Sequence, residues 1–235
     1  MNSPLPRPPR HKPQGAYAIT REFEKALCRY THAPDAVAVS SCTWALRLAL
    51  EWYARLRSTD TNNQLLYAGT HISVPRFTYV SVPMQVLQAG YKLIFRNEPW
   101  DGAYRLNPLP IWDSAKWFTR ELFGMGLFNE GAGPKVVCLS FHATKTLGLD
   151  QGGAILHNLG ADAAHWFRAM RHDGRIEGQP ISNASVRMLG FHCYMSPTTA
   201  AAGLWKLASM GFNPPMPMDK YPDLLEFEVF QNLEK

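Results

Sequence analysis

Short apolar runs alternate with longer amphipathic stretches along most of the chain. The apolar runs predict strands at residues 36–39, 71–74, 92–95, 109–112, 136–139 and 154–156. Apolar positions that recur every three or four residues predict helices at 16–30, 161–172, 195–210 and 224–230. The same spacing predicts one helix that begins after residue 43 and another that ends at residue 88. Alternating strands and helices indicate an α/β protein, a three-layer α/β/α sandwich with a mostly parallel sheet.

The composition predicts one structured domain at residues 16–235, preceded by an arm. The chain has 235 residues, 46% of them hydrophobic, which suffices for one sizeable core. Residues 1–15 contain five prolines and four basic side chains (Arg7, Arg10, His11 and Lys12). This composition is typical of an extended, basic N-terminal arm rather than of a packed element.

Several protein classes are disfavoured by the sequence. No apolar run approaches the roughly 20 residues that a membrane span requires, and the N-terminus lacks the apolar core of a secretory signal. The four cysteines are widely spaced with no Cys-x-x-Cys pair, which predicts reduced thiols in a cytoplasmic protein and no metal site. The net charge of +5 suits phosphorylated or nucleotide-linked substrates, but it is equally usual for plain solubility.

The first candidate for chemistry is Lys145, on a short loop between two predicted strands. The loop begins at Ser140 and ends at the pair Gly152-Gly153. A lysine flanked by buried strands loses solvation, which lowers the pKa of its amine and suits it to Schiff-base formation. On spacing alone, an ordinary surface lysine in a hairpin loop is the alternative.

Two further stretches place polar groups at strand ends. Ser41 and Thr43 follow the strand at 36–39 and open a long helix, whose free N–H groups suit a phosphate. The alternative is a routine strand-to-helix turn that one of these hydroxyls caps. Asp113 ends the short apolar strand at 109–112, at the edge where α/β sheets bind ligands.

The segment 140–155 resembles the lysine loop of the DegT/StrS-type sugar aminotransferases, which are fold-type I pyridoxal phosphate (PLP) enzymes. Its Ser-Phe-x-x-x-Lys stretch and its later Gly-Gly-Ala both match that loop. Other stretches match in the same order between about residues 16 and 210. The resemblance implies that Lys145 binds PLP as a Schiff base and moves the proton during amino transfer.

The resemblance also implies the other site residues. Asp113 would pair with the protonated pyridine nitrogen and Tyr79 would stack on the ring, while His192 would reach the phosphate of the partner subunit. The implied catalytic pair is Lys145 and Asp113. The implied cofactor-binding set is Cys42, Thr43, Tyr79, Asp113, Lys116, Ser140, His142, Lys145 and His192.

The chain departs from the family pattern at several positions. Cys42 stands where the family has glycine, Lys116 where it has glutamine or histidine, and His192 where it has asparagine. A strand-helix unit that usually precedes the aspartate is missing. The chain also stops where the family continues into a C-terminal domain. The expectation is a shortened, minimal enzyme that consists of the major domain only.

The expected function is transfer of an amino group from an amino acid, with glutamate expected, to a keto-sugar that is expected to be nucleotide-linked. A homodimer with its active site at the interface is the expected assembly. One alternative keeps PLP but acts on a modified nucleotide or DNA base, by decarboxylation or amine transfer, with nucleic acid as a partner. The other is a non-catalytic scaffold that binds no cofactor.

Overall fold

The computed structural model describes residues 17–59, 71–128, 133–182, 185–217 and 221–231, so the predicted arm at 1–15 lies outside the described residues. The helices are α1 (Ala18–Thr31), α2 (Cys42–Thr59), α3 (Ser81–Gln88), α4 (Ala161–Met170), α5 (Pro197–Leu207) and α6 (Glu228–Gln231). The strands are β1 (Asp35–Val39), β2 (His71–Pro75), β3 (Lys92–Arg96), β4 (Tyr104–Arg105), β5 (Ile111–Ser114), β6 (Val136–Ser140) and β7 (Gly153–His157).

Five of these strands form one sheet in the order β1-β7-β6-β5-β4, and β2 pairs with β3 beside it. An isolated bridge joins β2 to the segment after β4, where the Ser73 N–H donates to the Asn107 carbonyl at 2.8 Å. The pairings β5–β6 and β2–β3 are parallel, whereas β1–β7, β6–β7 and β4–β5 are antiparallel.

The α/β class is confirmed, and its sheet is mixed where the sequence predicted a mostly parallel one. The reason is connection length. A parallel pair needs a crossover of a dozen or more residues that is usually helical, while a short return gives antiparallel strands. Residues 141–152 return from β6 to β7 as a loop, and residues 106–110 return from β4 to β5.

Two hydrophobic clusters cover the two faces of the five-stranded sheet. Along β6, Val136 and Cys138 belong to the cluster that includes α2, α3 and α4. Val137 and Leu139 belong to the cluster that includes α1 and α5. Since neighbouring side chains of a strand point to opposite faces, these clusters are separate layers of core. The three-layer arrangement predicted from the sequence is therefore confirmed.

A buried ion pair fastens α1 to β1 and to the end of α4. Glu24 is 3% exposed, and its Oε1 accepts hydrogen bonds from the Ala38 N–H at 3.0 Å and from Arg171 at 2.5 Å. Arg171 is fully buried and also donates to the Ala38 carbonyl at 2.5 Å and to Glu177 at 2.7 Å. We call these residues the Glu24–Arg171 cluster.

The described part of the chain has neither a helix that could span a membrane nor a metal-binding cluster. None of the described helices is long and apolar enough to cross a membrane. No group of three or more histidine, cysteine, aspartate or glutamate side chains with the geometry of a metal site occurs among these residues.

Candidate active site

A cavity of about 380 Å³ lies where α2 begins and where β5 and β6 end. It contains most of the set predicted from the sequence. The predicted residues that line it are Cys42, Thr43, Tyr79, Asp113, Ser140, His142 and Lys145. The structure therefore brings together residues that are separated by more than a hundred positions in the sequence.

The loop that carries Lys145 is held at both ends by backbone hydrogen bonds. The Phe141 N–H donates to the Gly152 carbonyl at 2.9 Å, and the Leu149 N–H donates to the Phe141 carbonyl at 2.8 Å. A tight turn follows, in which the Lys145 N–H donates to the His142 carbonyl at 2.8 Å. Phe141 and Leu149 are buried, whereas Lys145 is half-buried at the cavity. The loop is thus anchored through its apolar residues and presents its lysine to the cavity.

The start of α2 forms the opposite wall of the cavity. The Ser41 hydroxyl accepts from the Trp44 N–H at 3.3 Å, so it caps the helix as the sequence alternative proposed. A Cβ added at Gly153 would lie 2.5 Å from the Ser41 carbonyl carbon and 2.6 Å from the Cys42 nitrogen. Only glycine therefore lets β7 pass this close to the turn, and this contact holds the helix N-terminus against the cavity.

Hydroxyl groups surround the same helix end. The Thr43 and Ser81 hydroxyls are 2.9 Å apart, and both side chains line the cavity. Ser140 lines it from the end of β6. Because the first N–H groups of a helix carry a partial positive charge, this corner is suited to an anion such as a phosphate.

Asp113 is 4% exposed and faces the cavity from the end of β5. Its carboxylate accepts hydrogen bonds from the Tyr104 hydroxyl at 2.8 Å and from the Ala115 N–H at 2.9 Å. Burial raises the pKa of Asp113, while the Tyr104 bond, the Ala115 bond and the charge of Lys145 act in the opposite direction. A cationic group that bound against this carboxylate would favour its ionised form and so oppose the effect of burial.

Tyr104 is a site residue that the sequence did not predict. Burial, followed by the nearby charge of Asp113, raises the pKa of Tyr104 well above its ordinary value, so the hydroxyl is neutral and donates to the carboxylate. Thr78 lies 2.6 Å from the same hydroxyl oxygen and therefore donates to it. The two-residue strand β4, which carries Tyr104, has no apolar periodicity that could have indicated this contact.

Two predicted residues do not line the cavity. Lys116 is 1% exposed, and its Nζ donates to the Pro217 carbonyl at 2.6 Å and lies 5.6 Å from the centre of the Tyr221 ring. His192 is exposed, and its Nδ1 lies 3.0 Å from the Asp173 carboxylate. The proposed role of His192 at a partner's phosphate stays a prediction.

Other lining residues were also missed by the sequence reasoning. Gln151 and Thr144 belong to the lysine loop, and Tyr221 comes from the C-terminal part of the chain. Tyr221 is separated from Lys145 by more than seventy positions, and no motif around it indicates a ligand. Its place in the cavity follows only from the folded structure.

The groups that line the cavity fit PLP. Lys145 supplies an amine for the aldehyde, and Asp113 supplies a buried carboxylate for the ring nitrogen. The N-terminus of α2 and the hydroxyls of Thr43 and Ser140 supply donors for the phosphate. Tyr79, which is 58% exposed, presents an aromatic face in the same cavity.

Comparison with known sequences gives one family. The chain matches the DegT/DnrJ/EryC1/StrS aminotransferase family over residues 14–98 and 113–213, which is more than half of its length. Residues 99–112, which include β4 and Tyr104, fall between the two matched stretches. No curated protein sequence matches the chain at a significant level.

Three solved structures illustrate the similarity in fold. One is Helicobacter pylori PseC, an aminotransferase involved in the biosynthesis of pseudoaminic acid (17% identity, TM-score 0.59, 84% of this chain and 59% of that chain). Another is the sugar aminotransferase CalS13 from Micromonospora echinospora (17% identity, TM-score 0.58, 81% of this chain and 60% of that chain). The third is S. venezuelae DesV in complex with a ketimine intermediate (21% identity, TM-score 0.56, 81% of this chain and 56% of that chain). The chain thus spans less than two thirds of the length of each.

Proposed function

Because the chain belongs to the DegT/DnrJ/EryC1/StrS aminotransferase family, we propose that it is a PLP-dependent aminotransferase that acts on a keto-sugar. One observation carries the proposal: Lys145 and Asp113 face the same cavity, at the N-terminus of α2. An amine, a buried carboxylate and an anion-binding helix end are the three groups that the cofactor requires. Asp113 lies on β5 and Lys145 lies on the loop that follows β6, so their convergence is a property of the fold.

The roles of the residues follow from their positions. Lys145 Nζ would bind the cofactor aldehyde and, when released, would carry a proton to and from the substrate carbon. When bound, PLP supplies an electron sink for the carbanion that forms at that carbon. Lys145 suits proton transfer because it is half-buried and lies within electrostatic reach of Asp113.

Asp113 would lie against the ring nitrogen and keep it protonated. Besides the Ala115 N–H, two neutral side-chain donors orient the carboxylate: the Tyr104 hydroxyl at Oδ2 and the Cys42 thiol, whose sulfur lies 3.9 Å from Oδ1. Desolvation raises the pKa of the Cys42 thiol well above its ordinary value, with the Asp113 charge adding to the effect, so the thiol stays protonated. Cys42 therefore serves as a donor here and leaves the single negative charge on Asp113.

The phosphate would lie at the start of α2. The backbone N–H of Cys42 and the hydroxyls of Thr43 and Ser140 would hold it. His192 would bind the phosphate from the partner subunit of a homodimer. Its exposed ring and its contact with Asp173 support this proposal, because the contact fixes one ring nitrogen and leaves the other for a ligand outside its own subunit.

We further propose glutamate as the amino donor and a nucleotide-linked keto-sugar as the acceptor. The family match supports the sugar class. The net charge of +5 is compatible with an acceptor that carries phosphate groups.

The test is an absorption spectrum of the purified protein with PLP, recorded before and after excess glutamate is added. The wild type is expected to show a long-wavelength band that glutamate converts to a shorter wavelength. Lys145→Ala is expected to lack the band, and the matched control Lys92→Ala, an exposed lysine on β3, is expected to keep it. A band in Lys145→Ala, or none in the wild type, would contradict the proposal.

A further inference from the structure

Within the part of the chain that the structure describes, two stretches lie outside the family match, and they pack against each other. They are residues 99–112 and the described residues that follow 213. The rings of Trp100 and Tyr221 are stacked, with centroids 6.1 Å apart and planes at 19°. Asp101 and Pro217 form an isolated bridge. These two stretches therefore form one local structure.

The first end of the C-terminal segment is fixed beside Gly102 and Lys116. The Gly102 N–H donates to the Met216 carbonyl at 3.1 Å, and the Met216 N–H donates to the Lys116 carbonyl at 2.8 Å. A Cβ added at Gly102, where φ is +70°, would lie 2.6 Å from the Pro215 Cβ. Lys116 adds its side-chain hydrogen bond to the Pro217 carbonyl. The segment is therefore closely packed here.

The other end is fixed beside the ends of β2 and β3. The Leu224 N–H donates to the Arg76 carbonyl at 3.1 Å, and Arg76 pairs with Asp223 at 3.4 Å. The rings of Phe95 and Phe230 meet edge to face at 5.6 Å. The segment is thus attached near Lys116 at one end and near β2 and β3 at the other.

Tyr221 lies between these two attachments and lines the cavity together with Lys145 and Tyr79. We propose that Tyr221 is a specificity-determining residue, whose ring forms a fixed wall that limits the width of the carbonyl compound reaching Lys145. This rests on the proposed function, because it concerns the acceptor of that same site. The acceptor class is a carbonyl compound narrow enough to pass the Tyr221 ring and reach Lys145.

The contacts explain why this wall is rigid. The ring of Tyr221 stacks on Trp100, and the Lys116 ammonium lies 5.6 Å from its centre. Stacking and cation–π contacts each favour one orientation of the ring. Lys116, which the sequence placed at the cofactor, is a positioning residue in this arrangement: it acts on the substrate site through Tyr221 and Pro217.

The test measures access to Lys145 without requiring activity or cofactor. The full chain is treated with cyanoborohydride and either formaldehyde, which is small, or benzaldehyde, which is a planar ring. Each aldehyde condenses with the amine and loses water, and the hydride then reduces the imine to a secondary amine. Peptide mass spectrometry gives the extent of modification at Lys145, with the exposed Lys25 as the reference amine.

Four variants separate the possible causes. Tyr221→Ala is expected to raise the benzaldehyde-to-formaldehyde ratio at Lys145 about tenfold, and Lys116→Met to raise it in the same direction, by loosening the segment. Tyr221→Phe keeps the ring and is expected to behave as the wild type. Phe227→Ala, which removes an exposed aromatic ring from the same segment away from the cavity, is the matched control.

An unchanged or lowered ratio in Tyr221→Ala, or an equal rise in Phe227→Ala, would overturn the inference. Both results are read on protein freed of PLP, because a cofactor bound to the Lys145 amine would block its reaction with the aldehydes. Absence of the PLP band in the wild type would contradict the proposed function alone. A normal PLP band together with an unchanged benzaldehyde-to-formaldehyde ratio in Tyr221→Ala would contradict only the proposed role of Tyr221.

Discussion

Replacing Glu24 with glutamine is expected to destabilise the protein severely, although the two side chains have nearly the same volume. Glu24 accepts hydrogen bonds from Arg171 and from the Ala38 N–H, and it also pairs with Arg168 at 3.4 Å. The glutamine carbonyl can still accept one bond, but its amide donors would face guanidinium groups that are donors as well. Arg171, which is fully buried, would keep only Glu177 as a charged partner.

The magnitude follows from this burial. Removing one partner of a buried ion pair costs about 3–5 kcal/mol, because the remaining charge stays desolvated. For a domain of this size each kcal/mol lowers Tm by about 2–4 °C, so Tm is expected to fall by roughly 6–20 °C.

The assay is urea and thermal unfolding followed by tryptophan fluorescence. Glu228→Gln, the same chemical change at an exposed position on α6, is the control and is expected to stay within about 0.5 kcal/mol of the wild type. If Glu24→Gln lost less than about 1 kcal/mol, the Glu24–Arg171 cluster would be hydrated in solution and the reasoning would be wrong.

Three further predictions concern the turn, one buried histidine and the thiols. Gly153→Ala is expected to lower the free energy of unfolding by about 1–3 kcal/mol and to weaken PLP binding, because its Cβ would displace the Cys42 amide. Thermal melting measures the first effect and PLP titration measures the second. Burial lowers the pKa of His157 to about 4, so the folded state resists its protonation. Relative to His157→Asn, the wild type should therefore lose stability as pH falls from about 6.5 to about 4, by up to about 3 kcal/mol in urea titrations. Burial raises the pKa of Cys28 to about 11 and of Cys193 to about 12, so Ellman's reagent at pH 8 should react far more slowly with the native than with the unfolded protein.

The parts of the site that could be predicted are those encoded by local sequence. Lys145 and Asp113 each follow an apolar strand, and the turn at Cys42 opens a helix, so their chemistry is visible in a few neighbouring residues. The three layers were predictable for the same reason, because periodicity within one element fixes which face is buried.

The parts that could not be predicted depend on contacts between distant segments. Lys116 lies three residues after Asp113, but the direction of its side chain is set by the carbonyl of Pro217, about a hundred positions later. Tyr104 reaches Asp113 only because β4 turns back on β5, in a stretch without periodicity. Local patterns carry no information on such pairings.

The pairing of β1 has a consequence for folding kinetics. Among the described strands, β1 pairs only with β7, which joins residues 35–39 to residues 153–157. Closing a loop of more than a hundred residues loses chain entropy before the strand pairing contributes any stability, so such topologies fold slowly. The turn after β1 lies against Gly153, so it reaches its final position only when this ladder closes. The anion-binding corner should thus be among the last features to form, and recovery of cofactor binding during refolding would report completion of the sheet.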